Sequence, residues 1–469
     1  MANPKYDLAV IGSGPGGYVA AIRASQLKMK TVVIERDRPG GVCLNWGCIP
    51  SKALLNSAET MEAIRGANKE HGIDVGEVHV DFKRVIARSR EAAEKLSKGV
   101  RFLLKKNNID LIEANATITG PHTIALSRSD GNAPPAETIE AERILIAAGS
   151  TERLLPGMTT GDGVLTSKEA LVNDQLPREL LVIGAGAIGL EFAYFYQAFG
   201  VKVTVAELEK QMLPGFDAEV AEELRRAFVK RKVAVMLGHG YKSMARKGER
   251  WAVVLDKAGT DVTVEADAVL VAVGRGPLSA GLGVEKVGVE LMRGGFIKID
   301  DSFRTSCPSI YAIGDVARPP LLAHKASAEG VAAVEIMAGA REPGFDLSTI
   351  AACIYCQPEV ATIGLSEADA KARGIDVKVG KFPFRALGKA VAINHVEGFV
   401  KIVASKQYGE VLGCQIVGHG ATDMISEVVL GRTLEATTTE LGHTVHPHPT
   451  LAEAIMEAAL MAEGEAINI

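Results

Sequence analysis

One pattern occurs twice in this chain and leaves little freedom in how the chain can fold. YDLAVIGSGPGG is an apolar strand running into Gly12-x-Gly14-x-x-Gly17, followed by the helical stretch YVAAIRASQL and by the strand TVVIERD, which reaches Glu35. ELLVIGAGAIG repeats the order as Gly184-x-Gly186-x-x-Gly189, with LEFAYFYQAFG as the helix and VKVTVAE as the strand reaching Glu207. In both copies the acid stands 18 positions after the last glycine. A lone loop of this kind is weak evidence, but two complete strand-loop-helix-strand-acid units are strong. The glycines let backbone approach a pyrophosphate at the helix N-terminus, and the carboxylate receives ribose hydroxyls. Two dinucleotides on two Rossmann-like α/β units are therefore expected. The alternative is a pair of glycine-rich turns in nucleotide-free α/β units.

Each unit closes with an apolar strand meeting a glycine: ILIAAGS at 144–150, and VLVAVGR at 269–275, which brings Gly274 and Arg275 to the end of the second unit as expected cofactor-binding residues. The second unit thus reads as an insertion, after which the chain returns to the first. YAIGDVA at 311–317 sets Asp315 at a strand end, where it suits either a polyol hydroxyl or a turn cap. From about Phe345 the antiparallel-looking strands EVATIGL, GFVKIVAS and EVLGCQIVG alternate with helices at DMISEVVLG and TLAEAIMEAALMAEG, an α+β pattern. The expected division is 1–149 and 150–274 for the two dinucleotide domains, 275–344 for a central return to the first, and 345–469 for an interface domain. The polar stretch SRSDGNAPPAET at 127–138 reads as an exposed hairpin loop.

The stretch GGVCLNWGCIPSK, residues 40–52, places two cysteines five positions apart. Along a regular helix that spacing separates Cα atoms by roughly 8.7 Å, beyond the ~7 Å limit for a disulfide. Cys43 and Cys48 can pair only across a distorted turn, for which Gly47 and Pro50 are suited. The run SKALLNSAETMEAI reads as a helix with Cys48 near its N-terminus, where the helix dipole stabilises a thiolate. A redox-active dithiol, a structural bridge and two ordinary buried thiols all stay open on these residues alone. Six cysteines in 469 residues do not make a disulfide framework. A first strand beginning at Tyr6 leaves no room for a signal peptide, and no apolar run reaches membrane length, so a cytoplasmic, reducing compartment is expected. A net charge of -5 and no long cluster of Lys or Arg argue against nucleic acid as a partner.

GGVCLNWGCIPSK, AHKA at 323–326, YAIGD and HPHPTLAE at 446–453 together resemble the dihydrolipoamide dehydrogenases of the pyridine nucleotide-disulfide oxidoreductase family, in order along essentially the whole chain. The resemblance implies FAD on the first fingerprint and NAD on the second. It also implies a dithiol beside the flavin and a C-terminal domain that forms a homodimer with shared active sites. Carried over by position, Cys48 faces the flavin, Cys43 exchanges with substrate sulfur and Lys52 contacts the flavin. Glu191 is then the partner of Lys52, which answers the cost of a carboxylate inside an apolar helix; a solvated helix charge is the plainer reading. Asp315 and Ala323 match contacts to the ribityl chain and the ring, and Ala116 to the adenosine part.

His448 matches the family's catalytic base, with Glu453 orienting it. A base is required because a thiol with a pKa of about 8.5 is a poor nucleophile until deprotonated. Thr450-Leu-Ala-Glu453 is also a capping-box sequence, and one carboxylate can serve both roles, one oxygen each. His446, two residues earlier, is expected to be structural or to support the site from behind. Val42 and Trp46 depart from the family's usual Thr and smaller apolar residue in the dithiol loop. The second pair, Cys353-Ile-Tyr-Cys356, lies in a strand-like segment where residues three apart face opposite sides, so it reads as structural. No metal site is implied.

The expected activity is oxidation of protein-bound dihydrolipoamide with NAD as acceptor. The implied partner is a lipoylated acyltransferase subunit of a 2-oxoacid dehydrogenase complex or a lipoylated glycine-cleavage carrier. An NADP-dependent disulfide reductase of the glutathione reductase type is the nearest alternative, disfavoured because Glu207, followed by Leu208 and Glu209, would repel a 2'-phosphate. A non-enzymatic FAD-binding protein is a remoter one, with no need for dithiol and base together.

Overall fold

The computed structural model describes residues 5–66, 71–127 and 137–469. Its first sheet is built on Lys5–Ile11, which pairs in parallel with Thr31–Glu35 on one side and Glu137–Ile146 on the other. Thr31–Glu35 is buried along its whole length, as a parallel strand covered on both faces must be. Helix α1 (Pro15–Gln26) begins with proline in its first turn, where the missing N–H has no intrahelical partner to lose. After Glu35 come α2 (Gly41–Trp46), α3 (Cys48–Gly66) and α4 (Phe82–Lys106). The hairpin Asn115–Gly120 and Thr123–Ser127 pairs with the first half of Glu137–Ile146, while Ile310–Ala312 pairs in parallel with its second half. The chain therefore returns to the first sheet after the insertion. The hairpin loop expected at 127–138 falls mostly on 128–136, outside the described residues.

The inserted unit repeats the plan. Its parallel sheet runs Ala234–Leu237, Lys202–Glu207, Glu179–Ile183, Ala268–Val271, Val164–Leu165, with helix α5 (Ala187–Ala198) after the central strand. A three-stranded antiparallel sheet, Gly240–Lys247, Arg250–Lys257 and Thr260–Ala266, fills the crossover. Beyond α6 (Ala323–Met337), the C-terminal domain is a five-stranded antiparallel sheet. It contains the three strands read from sequence, plus Ala352–Ile354 and Val377–Pro383 at its edges. Helices α7 (Ala421–Thr433) and α8 (Glu453–Glu463) pack on this sheet. Helix α8 begins at Glu453, later than its TLAE reading placed it, because Thr450 is held outside the helix by its own hydroxyl bond to Pro447 O at 2.8 Å.

The register of helix on sheet is set by glycine. A Cβ at Gly17 would overlap the carbonyl oxygen of Gly12, and one at Gly189 that of Gly184. Helix α6 closes on α1 in the same way, since a Cβ at Gly330 would stand 2.6 Å from Gly16 O. These are backbone atoms, which cannot swing aside as a side-chain tip can. Gly17→Ala and Gly189→Ala are each expected to lower the melting temperature by roughly 5 °C or more. Gly99→Ala, in the middle of α4 with nothing near its added Cβ, is expected to leave it unchanged or raise it. Equal melting of all three proteins would contradict this packing account.

Candidate active site

A cavity of about 820 Å³ runs from the first glycine loop to the dithiol. Its walls include Gly12, Gly14, Glu35, Ala116, Cys43, Cys48, Lys52, Asp315 and Ala323, with Glu191 and Ala187 of α5 entering from the second unit. The two acids that end the fingerprints are held alike. Glu35 Oε2 accepts the N–H of Ser13 at 2.9 Å and Oε1 that of Asp37 at 2.9 Å. Glu207 Oε2 accepts the N–H of Ala185 at 2.7 Å and Oε1 that of Glu209 at 2.9 Å. Each buried carboxylate is thus fixed to its own glycine loop; Glu35 Oε2 also accepts the Ser13 hydroxyl at 2.6 Å, so Oε1 of Glu35 and both oxygens of Glu207 retain lone-pair capacity for a ribose hydroxyl. A Cβ at Gly14 or Gly186 would meet nothing within 4 Å, so both loops front open space. With a helix N-terminus behind each loop, this space fits a pyrophosphate, and the residues present suit FAD along the first loop and NAD at the second.

The dithiol sits where helix geometry breaks. Helix α2 stops at Gly47, whose φ of -154° and ψ of -113° leave the helical region, and α3 starts at Cys48. The thiols are free and hydrogen-bonded to each other. That bond and burial push Cys43 far above the ordinary thiol range, while the same bond and the Lys52 ammonium pull Cys48 below it. Helix α3 also points its N-terminus at Cys48. Tyr18 of α1 lies beside Cys43, its phenol raised by burial and by that thiol; a tyrosine one turn into a fingerprint helix carries no signal of its own in the sequence.

Lys52 Nζ lies 2.9 and 2.8 Å from the two oxygens of Glu191, which joins α3 to α5. The N–H of Tyr355 donates to Glu191 Oε1 at 3.1 Å, and the Lys52 ammonium stands 4.2 Å from the centre of the Tyr355 ring. Asp315 accepts from Ser150 Oγ at 2.6 Å. Arg275 holds the same serine through Nε at 2.9 Å and pairs with Glu152 at 2.8 Å, so its guanidinium braces the wall of the cavity. Behind Asp315, fully buried Glu329 accepts the N–H of Gly314 at 2.8 Å and Arg318 Nε at 2.9 Å, with buried Lys325 beside it. A lysine and a glutamate four apart on a small-residue helix were the available signal for that cluster. Gly274 adopts φ +110° at the close of the second unit, a conformation glycine takes without strain.

His448 is 75% exposed at its side chain, and neither it nor Glu453 lines the cavity. Glu453 gives one oxygen to each duty: Oε1 to His448 Nδ1 at 2.8 Å, Oε2 to the N–H of Thr450 at 2.8 Å. Burial opposes its charge, yet these two bonds hold the carboxyl below the usual range. Only half of a capping box forms, because the Thr450 hydroxyl turns to Pro447. The His446 side chain is buried between Thr444 O and Glu427, both at 2.8 Å. Cys353 lies in the strand Ala352–Ile354 and reaches the cavity, whereas Cys356 follows the strand and is fully buried in another cluster; both thiols are free. Trp46 lines the same cavity; its indole N–H donates to Asp37 at 2.7 Å, and Arg90 and Lys168 lie over the ring at 4.6 and 4.8 Å.

Residues 6–330 match the family model of pyridine nucleotide-disulphide oxidoreductases, and residues 350–459 match the dimerisation domain of that family. The chain is 42% identical to the dihydrolipoyl dehydrogenase of Bacillus subtilis over 99% of both chains. It is 43% identical to that of Chlorobaculum tepidum over 98% of this chain and 97% of the other. Among solved structures, LpdA of Mycobacterium tuberculosis superposes with a TM-score of 0.89 at 29% identity, covering 96% of this chain and 98% of that one. RclA of Escherichia coli, a HOCl-induced flavoprotein disulfide reductase, gives 0.87 at 25% identity, covering 97% and 99%.

The open space before Gly186 yields a test that separates fold from ligand. Gly186→Ala is expected to keep its melting temperature and bound FAD but to raise KM for NAD by roughly tenfold or more. An unchanged KM would show that the second loop does not receive the dinucleotide.

Proposed function

The chain belongs to the pyridine nucleotide-disulphide oxidoreductase family, and we propose that it is the flavoprotein that oxidises protein-bound dihydrolipoamide to lipoamide with NAD as acceptor. The observation that carries this reading is the asymmetric dithiol beside the Lys52–Glu191 pair, in a cavity between two dinucleotide loops. With the pair oxidised to the Cys43–Cys48 disulfide, a dihydrolipoyl thiolate attacks the Cys43 sulfur and Cys48 leaves as thiolate. The second substrate sulfur then attacks the first, which closes the lipoamide ring and frees Cys43. His448 accepts the substrate's thiol protons, held in orientation through Nδ1 by Glu453, so that Nε2 is the nitrogen presented to sulfur. Lys52 stabilises the thiolate left on Cys48. FAD, held by the first loop, Glu35, Asp315 and Ala323, supplies the two-electron acceptor that connects the dithiol with NAD.

The base does not line the cavity of its own chain, and the C-terminal domain leaves Leu430, Leu434 and Val445 exposed. Both observations support a homodimer in which His448 and Glu453 complete the partner's site. The lipoyl group's carrier is, in this reading, the acyltransferase subunit of a 2-oxoacid dehydrogenase complex or a glycine-cleavage carrier. Domain limits near residues 149, 274 and 344 belong to the same reading. So does a cytoplasmic location; among the described residues no helix is long and apolar enough to cross a membrane.

Lipoamide-dependent turnover, followed as NADH formed or consumed, tests the assignment. Wild-type protein is expected to turn over, with kcat/KM for NADH at least about tenfold above that for NADPH because Glu207 repels a phosphate. Cys43→Ser and Cys48→Ser should each abolish lipoamide turnover while FAD remains bound. Equal use of NADPH, or an active Cys43→Ser protein, would overturn the reading.

A further inference from the structure

Three parts of the chain meet at the Lys52 ammonium. The lysine comes from α3, its carboxylate Glu191 from α5, and the ring 4.2 Å away from Tyr355, in the turn that follows the C-terminal domain's strand Ala352–Ile354. Tyr355 also reaches the carboxylate, because its backbone N–H donates to Glu191 Oε1 at 3.1 Å. A lysine on a flexible stem that is a third exposed is not fixed by an ion pair alone. An aromatic face supplies a second direction of attraction without adding charge.

We propose that Tyr355 is a positioning residue for the dithiol reaction, whose ring holds the Lys52 ammonium where it stabilises the Cys48 thiolate. The inference rests on the reading of Cys48 and Lys52 as the flavin-side pair. The groups around these residues bear on it directly. Cys48 faces Cys43 and Lys52, which favour its thiolate, and Glu191, which opposes it. The Tyr355 ring faces Cys353, Glu191, Cys48 and Glu359; burial and these neighbours push its phenol up to about 12, so the ring stays neutral at working pH. Glu191 draws the ammonium toward α5, and the ring 4.2 Å away adds a second attraction. Replacing the ring leaves the backbone N–H of residue 355 in place, so a side-chain substitution isolates the ring's contribution.

The sign follows from the charge. Lys52 lowers the Cys48 pKa, so releasing the ammonium must raise it. In holoenzyme carrying Cys43→Ser, where Cys48 is the remaining dithiol sulfur, the long-wavelength charge-transfer absorbance from thiolate to oxidised flavin is titrated against pH. Adding Tyr355→Leu is expected to move the midpoint upward by about half a pH unit or more, and Tyr355→Phe by less than about 0.2, since phenylalanine keeps the aromatic face. Lys52→Met in the same background should move it upward further. Should Tyr355→Leu lose FAD, the pH dependence of Cys48 alkylation by iodoacetamide gives the same midpoint. If Lys52→Met shifts the midpoint but Tyr355→Leu does not, the ring is idle and the proposal is wrong. If Lys52→Met has no effect, the premise falls and the proposal with it.

Discussion

A helix can present its N-terminus to a pyrophosphate only if the turn before it has no side chain in the way, and that requirement organises this molecule. Twice the chain brings a helix so close to the preceding turn that the last glycine's Cα touches the first glycine's carbonyl. Each helix is thereby seated at a fixed height on its sheet. For α5 that height has a chemical consequence, because it sets Glu191 against Lys52 of α3 and so brings the second unit to the dithiol of the first. The same small-residue packing between α1 and α6 returns the chain to the first sheet and carries Asp315 to the cavity.

Charge is distributed around the dithiol so that its two sulfurs differ. Cys43 is half-buried beside Cys48 and is kept a thiol, whereas Cys48 has a helix N-terminus and an ammonium in front of it. Such a pair favours attack at the outer sulfur and departure of the inner one, since the sulfur with the lower pKa is the better leaving group. Buried ionised groups are paired: Glu329, behind Asp315, with Arg318 and Lys325, and Lys401, on the C-terminal sheet, with Asp217 and Glu219 of the inserted unit. An unpaired charge at either place would cost several kcal/mol.

The parallel sheets and the return of the chain were legible because each rests on a local rule: glycine spacing, an acid at a fixed distance, a fully apolar strand. The antiparallel pieces were less so. Val377–Pro383 has Lys378 and Lys381 among its residues, and the crossover sheet at 240–266 mixes charged and apolar residues over largely half-exposed strands, so neither stands out from loop sequence. Within the site, the break between Cys43 and Cys48 followed from helix geometry and Gly47. Tyr355 did not follow from anything local, since its meaning depends on a lysine about 300 residues earlier in the chain. Trp46, a departure in the dithiol loop, proves to stand among Asp37, Arg90 and Lys168, contacts that no periodicity encodes.

We propose that dithiol and base act together across a homodimer, the dithiol from one chain and the base from the other. Co-expressing Cys48→Ser chains with His448→Ala chains and purifying the mixed dimer tests it directly. If the site is shared, one of the two sites joins an intact dithiol to an intact histidine while the other carries both defects. About half of the wild-type activity per dimer should then return, with the sites independent. A mixed dimer no more active than either mutant homodimer would contradict the account.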